Sequence, residues 1–367
     1  VILTDLGNAA EALEQEVGVR GSALAGLNPL INGGFDVWQD GTSFAAIASG
    51  TWGPDQWLYA KSGAVVHTLA QSSDVPSVAT AGVRASWSVH LDVTTADTVV
   101  DAGDFCTIST RIEGINWRRF DQQAWSIGFW VKASVVGLHG LVARNAGSDR
   151  SCVVNYPISV ADTWEYKAVV FPANPSAGTW DWTNGRGIEL SWTLLAGSTY
   201  QTTAGAWQTG NYLASSVQVN EGSSTANNFR LAMVGRPTLG TVPARWQPED
   251  EGITLLRCRR YNEAMGGAAS AVFGTGFGIS STQADYMVPM IPKRAASPSI
   301  GALSGTIGNI SVYGALGTVP LTAVSLLSTT NDRAFVRATT AGSLASGDPY
   351  HLYAPGTEKL RIQSRIP

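Results

Sequence analysis

The chain has 367 residues, of which 14% are charged and 44% hydrophobic, and its formal net charge is −4. So small a charge, with no basic run, argues against nucleic acid or an anionic membrane surface as partner, and the apolar content argues against disorder. No stretch approaches the ~20 continuous apolar residues of a transmembrane helix, no signal peptide opens the chain, and no membrane insertion is expected.

Residues 1–26 carry helical heptads. Leu3, Leu6, Ala10, Leu13, Val17, Arg20 and Leu24 alternate spacings of three and four, the a/d seam of a coiled coil. Gly7, Gly18 and Gly21 keep such a short seam from holding together alone. It either packs on its own domain or forms the end of an intersubunit shaft; the shaft is favoured because the apolar stripe needs cover. Val1 is not an initiator Met, so a longer product is expected.

Asn28–Gln39 (NPLINGGFDVWQ) turns the chain from helix into sheet, with Pro29 blocking helix continuation and Gly33-Gly34 making a corner. Strand signals then recur at short intervals. Val83, Ala85, Trp87, Val89 and Leu91 alternate with polar residues, and Cys106, Ile108 and Ile112 share a face. Leu138–Arg144, Ser151–Ile158 and Asn227–Val234 read as further strands. At the centre, Trp125, Ile127, Phe129 and Val131 face one way and Ser126, Gly128, Trp130 and Lys132 the other. Trp164, Tyr166, Ala168 and Val170 share a face in a later strand, as do Ile188, Leu190, Trp192 and Leu194. Roughly eight to ten short antiparallel strands predict a β-sandwich of jelly-roll type.

Pro248–Met265 breaks the pattern: acids at its start and Arg257, Arg259 and Arg260 later predict a helix that closes the sandwich. All 13 tryptophans lie between Trp38 and Trp246, which marks a boundary beyond them. The expected organisation is mainly β: a helix over 1–27, a sandwich over 28–265, a linker over 266–284 and a small β-module over 285–367. Cys106, Cys152 and Cys258 are odd in number and far apart, so buried free thiols are favoured over a Cys106–Cys152 bridge.

Trp87, Trp125, Trp164 and Trp192 read as core. Trp180 and Trp182 instead fall in a loop, TWDWTNGR, between Pro172 and Pro175 on one side and Gly185 and Gly187 on the other. Either they fold over the sandwich edge or onto a neighbouring subunit, or they form a flat platform for the C–H face of a sugar, with Asp181, Asn184 and Arg186 for its hydroxyls. Trp117 beside Arg118 and Arg119, and Trp207, are rim candidates, and Trp130 is a candidate for a concave face. The carboxylate pairs Asp101/Asp104 and Glu249/Glu251 read as turn and helix-terminal acids rather than a glycosidase pair. No nucleophile elbow or phosphate loop appears, and His67, His90, His139 and His351 are isolated from one another. No enzyme, metal or cofactor is expected.

Three ordered patches resemble bacteriophage fibre proteins. NPLINGGFDVWQDGTSF (Asn28–Phe44) is similar to the family's N-terminal motif; GFWVKAS (Gly128–Ser134) and DTWEYKAVVFP (Asp162–Pro172) resemble sugar-binding jelly-roll modules; LLRCRRY (Leu255–Tyr261) resembles a segment after the sandwich. GDPYHLY (Gly347–Tyr353) is similar to the family's terminal β-module. Asp40 stands where the family usually has Arg, and GPDQW (Gly53–Trp57) departs from its Ala-Asp-Arg-Trp. The resemblance implies a homotrimeric virion appendage, on tail or capsid, joined to other virion proteins through its N-terminus. The expected function is attachment to a host cell-surface glycan. A purely architectural head fibre or decoration protein and a polysaccharide depolymerase are the alternatives.

Overall fold

The computed structural model describes residues 28–367 apart from 296, 316 and 331. The heptads over 1–27, with Leu3, Leu6, Ala10, Leu13, Val17 and Leu24, lie outside the described residues.

Two antiparallel sheets pack face to face. The first runs, edge to edge, through Ser43–Phe44, Val66–Ser72, Ser88–Thr95, Asn228–Ala232, Trp125–Ala133 and Glu165–Phe171, with Thr238–Leu239 also paired to Trp125–Ala133. The second runs through Trp207–Thr209, Arg150–Ile158, Gly137–Arg144, Arg186–Ala196, Phe105–Glu113, Trp57–Ser62 and Thr51–Trp52. Alternation places one face of each strand in a shared core. Trp125, Ile127, Phe129 and Val131 meet Ile188, Leu190, Trp192 and Leu194 there. Phe129 stands edge-on to Trp192 at 5.4 Å, and Trp57 packs tilted against the same indole at 5.4 Å. Each aromatic side chain of this kind buries about 150–250 Å², so these rings dominate the sandwich energetics. Cys106, Cys152 and Cys258 are buried and free.

The strand Glu165–Phe171 has the opposite phase to the one its sequence suggests. Phe171 is paired with Trp125 and stacks on it at 4.2 Å. Residues opposed in a ladder share a face, so Val169 and Phe171 point inward, and Tyr166, opposite Trp130, points out. Trp164 follows Tyr166 onto that outer face, where both pack against Trp130, Ala81, Ala85, Ala232 and Met233.

The helix Glu251–Arg259 is capped by Asp250, whose side chain accepts from the Ile253 N–H, and carries Arg257 and Arg259 in its last turn. After it, Asn262–Gly266, Lys359–Gln363 and Ser299–Ala302 form a three-stranded sheet. A closed six-stranded barrel follows, built from Ala271–Gly278, Gln283–Pro289, Arg333–Thr340, Gly317–Thr329, Ser311–Gly314 and Pro349–Ala354. The linker expected over 266–284 is therefore corrected: it contains a barrel strand paired on both sides. Its glycines are needed for close approach, since a Cβ at Gly276 would lie 1.8 Å from the Asp285 carbonyl oxygen.

Sandwich and C-terminal strands are joined through the N-terminal motif. Gln39 donates to the Asp55 carboxylate through its N–H (2.7 Å) and Nε2 (2.8 Å), and again from Nε2 to the Asn262 carbonyl (2.6 Å). Asp40 accepts from Arg361 at 3.2 Å and Arg365 at 2.5 Å.

Candidate functional site

At one side of the sandwich both sheets end, the first in Glu165–Phe171 and the second in Trp207–Thr209. The loop that follows the first edge strand brings Trp180 and Trp182 to this place. Their rings lie nearly parallel, 10° apart with centroids at 5.6 Å, and Trp207 meets Trp180 edge-on at 5.6 Å. All three indoles are half-buried, packed against the core on one side and open on the other.

The loop is held rigidly. Asp149 accepts from the Thr179 N–H (3.1 Å), the Thr179 hydroxyl (2.8 Å) and Asn145 (2.5 Å), and these hydrogen bonds, Asn145's first, hold its carboxyl down at about 2. Asp181 accepts from the hydroxyl and N–H of Thr183 at 2.6 and 2.7 Å, which lowers its pKa in the same way. The backbone of the loop is then tied to the turn Gly114–Trp117 and the residue after it: Ile115 donates to the Thr183 carbonyl at 2.6 Å, and Arg118 Nε donates to the Trp182 carbonyl at 2.5 Å. Trp180 Nε1 donates to the Ala177 carbonyl at 3.2 Å. Two stacked rings are thus presented with their ordering cost already met by folding.

The other site residues read from sequence fall elsewhere. Trp117 is 1% exposed, stacked on Phe120 at 4.3 Å and edge-on to Trp125. It is a core residue rather than a rim residue, because a short helical turn at Gly114–Trp117 rolls its ring inward. Trp130 is 7% exposed beneath the outer-face cluster, so no concave face presents it. Asn184 turns toward the C-terminal strands, donating to the Arg294 carbonyl at 3.1 Å and accepting from Arg294 at 2.6 Å. Arg186 binds Glu189 at 2.9 Å, in a cluster with Arg111 and Arg144. Burial works to raise the Glu189 pKa, yet the three guanidinium groups, Arg144 first, hold it well below the usual carboxylate range. Asp181 keeps its place in the loop, as the residue that shapes it.

Of the acids, Asp104 accepts from the Asp101 N–H at 3.2 Å, and Glu249 is gripped by Arg257 and the Thr254 hydroxyl. Among the described residues, no group of three or more His, Cys, Asp or Glu side chains is placed to hold a metal.

Residues without a signal in the sequence pattern are Asp149, Thr179 and the acceptor carbonyls of Pro172 and Ala177. Each acts through backbone or turn hydrogen bonds between distant segments, which leave no periodic trace.

The described residues define a two-sheet β-sandwich protein with an aromatic platform at the edge where both sheets end. No protein-family profile matches the chain, and no curated protein matches it. Over 53% of its length it is similar to the enzymatically active domain of tailspike protein 4 of bacteriophage CBA120, at 16% identity and a TM-score of 0.29, spanning 21% of that chain. Over 56% it is similar to a family 11 carbohydrate-binding module of a Clostridium thermocellum cellulosomal cellulase, at 10% identity and a TM-score of 0.30, spanning 98% of that module. A carbohydrate-binding module solved with β-1,4-galactotriose overlaps 59% of the chain at 12% identity and a TM-score of 0.29, spanning 99% of the module. Overlaps at these TM-scores assign neither ligand nor activity to this chain.

Proposed function

We propose that the chain binds carbohydrate on the Trp180–Trp182–Trp207 platform, without catalysis. The observation that carries this reading is the pair of parallel, half-exposed indoles on a loop already fixed by hydrogen bonds. Exposed aromatic faces offer a pyranose ring an apolar surface, and a rigid loop spares the entropy of ordering it on binding. That Asp104 and Glu249, one from each carboxylate pair weighed for catalysis, are engaged in a turn and beside a helix terminus supports binding over hydrolysis.

The biological setting is a homotrimeric virion fibre of a bacteriophage, on tail or capsid, that attaches to a host cell-surface glycan. The ordered motifs of residues 28–353 support that setting. So does the barrel's outer face, where Met287 and Phe335 sit opposite one another, both exposed, with Leu327 also exposed nearby in sequence order on the next strand: apolar surface of this kind suits a partner chain. Trp180→Ala and Trp182→Ala, tested on arrayed bacterial surface glycans, are expected to lose binding at least tenfold. Wild-type binding by both variants overturns the platform.

A further inference from the structure

Beside the platform lies a pocket of about 360 Å³ whose wall includes Arg118, Arg119, Arg257 and Arg260. Two of these guanidinium groups are neutralised within the fold. Arg257 takes both oxygens of Glu249 at 2.7 and 2.9 Å, and Arg260 forks onto Glu113 at 2.7 and 3.1 Å.

The other two have no carboxylate partner among the described residues. Among the described residues Arg118 uses its Nε alone, on the Trp182 carbonyl, and neither terminal nitrogen has a partner. Arg119 lies over the Phe120 ring at 4.7 Å, a contact that fixes the plane of its guanidinium without using its donors. Both side chains are exposed. The pocket therefore sets four guanidinium groups against two carboxylates.

Arg118 touches both sites: its Nε holds the backbone of Trp182 while its terminal nitrogens line the pocket. We propose that this pocket receives the carboxylate of an acidic sugar whose neighbour in the same glycan lies on the indoles. The inference rests on the platform reading and specifies its ligand as an acidic glycan. Paired N–H donors of a planar guanidinium match a carboxylate in geometry and charge, and are worth more than neutral hydrogen bonds to hydroxyls.

The test uses matched polysaccharides: uronate-containing bacterial surface glycans, and the same glycans after carbodiimide-activated reduction of their uronic acids to neutral sugars. The full chain is expected to prefer the acidic form by about 10- to 100-fold, a preference that weakens with added salt. In an Arg118→Gln/Arg119→Gln variant the ratio of acidic to neutral affinity should fall to near one. In Trp180→Ala/Trp182→Ala, both forms should be lost together. Equal binding of acidic and reduced glycans by the wild-type chain, or an unchanged ratio in the arginine variant, overturns the inference and leaves the platform standing. If neither form binds, the platform reading fails. A titration with sulfate followed through the guanidinium resonances of Arg118 and Arg119 then judges the pocket alone: shifts confined to those two support an anion site, and their absence overturns it.

Discussion

Trp207 donates its indole N–H to the Pro172 carbonyl at 3.0 Å, tying the edge strand of one sheet to the end of the edge strand of the other. The bond closes the sandwich at its open side and fixes the ring that Trp180 meets edge-on. Trp207→Phe keeps much of the apolar contact and removes the donor, at an expected cost of about 1 kcal/mol. Trp207→Ala removes the ring as well and should cost about 2–3 kcal/mol. Urea midpoints should rank wild type, Phe, then Ala; a Phe variant as stable as wild type would show that packing alone, without the hydrogen bond, holds the edge.

Gly114 is where the tryptophan loop rests on the sandwich. Its N–H donates to the Gly185 carbonyl at 2.9 Å, and a Cβ added there would lie 2.1 Å from the Asp181 carbonyl oxygen. The obstacle is backbone, so Gly114→Ala must push the loop outward and strain the Ile115 and Arg118 bonds to it. The expected cost is about 1–3 kcal/mol, with glycan binding lost and the core strands unchanged. Hydrogen exchange resolves the two effects. Faster exchange confined to the loop 177–185 is expected; faster exchange across Arg186–Ala196 as well contradicts a local hinge.

Much of the fold is legible in the sequence because strand alternation is a local signal. Trp125 through Val131 and Ile188 through Leu194 announce their inward faces. The phase of Glu165–Phe171 is not legible that way: two aromatic residues on one face and Val169 with Phe171 on the other satisfy the same period, and only pairing with Trp125 decides. The site divides similarly. Proline and glycine flanks mark the loop of Trp180 and Trp182, but the burial of Trp117 depends on a short turn that meets Phe120, and the gathering of Arg111, Arg144 and Arg186 on Glu189 depends on register across three strands. Arg118 and Arg119 are conspicuous as a basic pair after Trp117, yet that they have no acidic partner among the described residues is a fact of three dimensions.

The joint between sandwich and C-terminal strands explains why an acid stands at position 40. Asp40 is nearly buried between Arg361 and Arg365, and the Arg365 side chain is only 9% exposed. Asp40→Asn retains size but removes the charge that Arg361 and Arg365 share, and removing one partner of a buried pair costs about 3–5 kcal/mol. Asp40→Arg, the residue usual in the resembled fibre family, should be worse still, because it places a third cation in the same space. Reversal in Asp40→Arg/Arg365→Asp would recover part of the loss. Denaturant unfolding checks this: an Asp40→Arg chain as stable as wild type would mean the ion pair contributes nothing at the joint.

Glu221 and His139 give the sandwich a pH dependence opposite to that of most carboxylates. His139 Nε2 lies 3.0 Å from the Val135 carbonyl and 3.8 Å from Glu221, with both side chains buried. Burial, more than the nearby Asp162, pushes the Glu221 carboxyl up to about 8, and burial lowers His139, so at neutral pH the two face each other as carboxylic acid and neutral imidazole. Because folding raises the Glu221 pKa from 4.5 to about 8, the folded chain keeps a proton that the unfolded chain releases. Its contribution is full below the lower value and is lost as pH rises through the higher one, with a slope of up to about 1.4 kcal/mol per pH unit. The lowered His139 pKa acts the other way, but only below its ordinary value of 6.5. Between about pH 6.5 and 8 the Glu221 slope therefore stands alone in this pair. Glu221→Gln keeps the shape and removes the titration, so the stability of the variant relative to wild type should rise steadily across that window. Denaturant midpoints of both proteins at three pH values spanning it decide the matter: a constant difference would mean that Glu221 is already ionised in the fold.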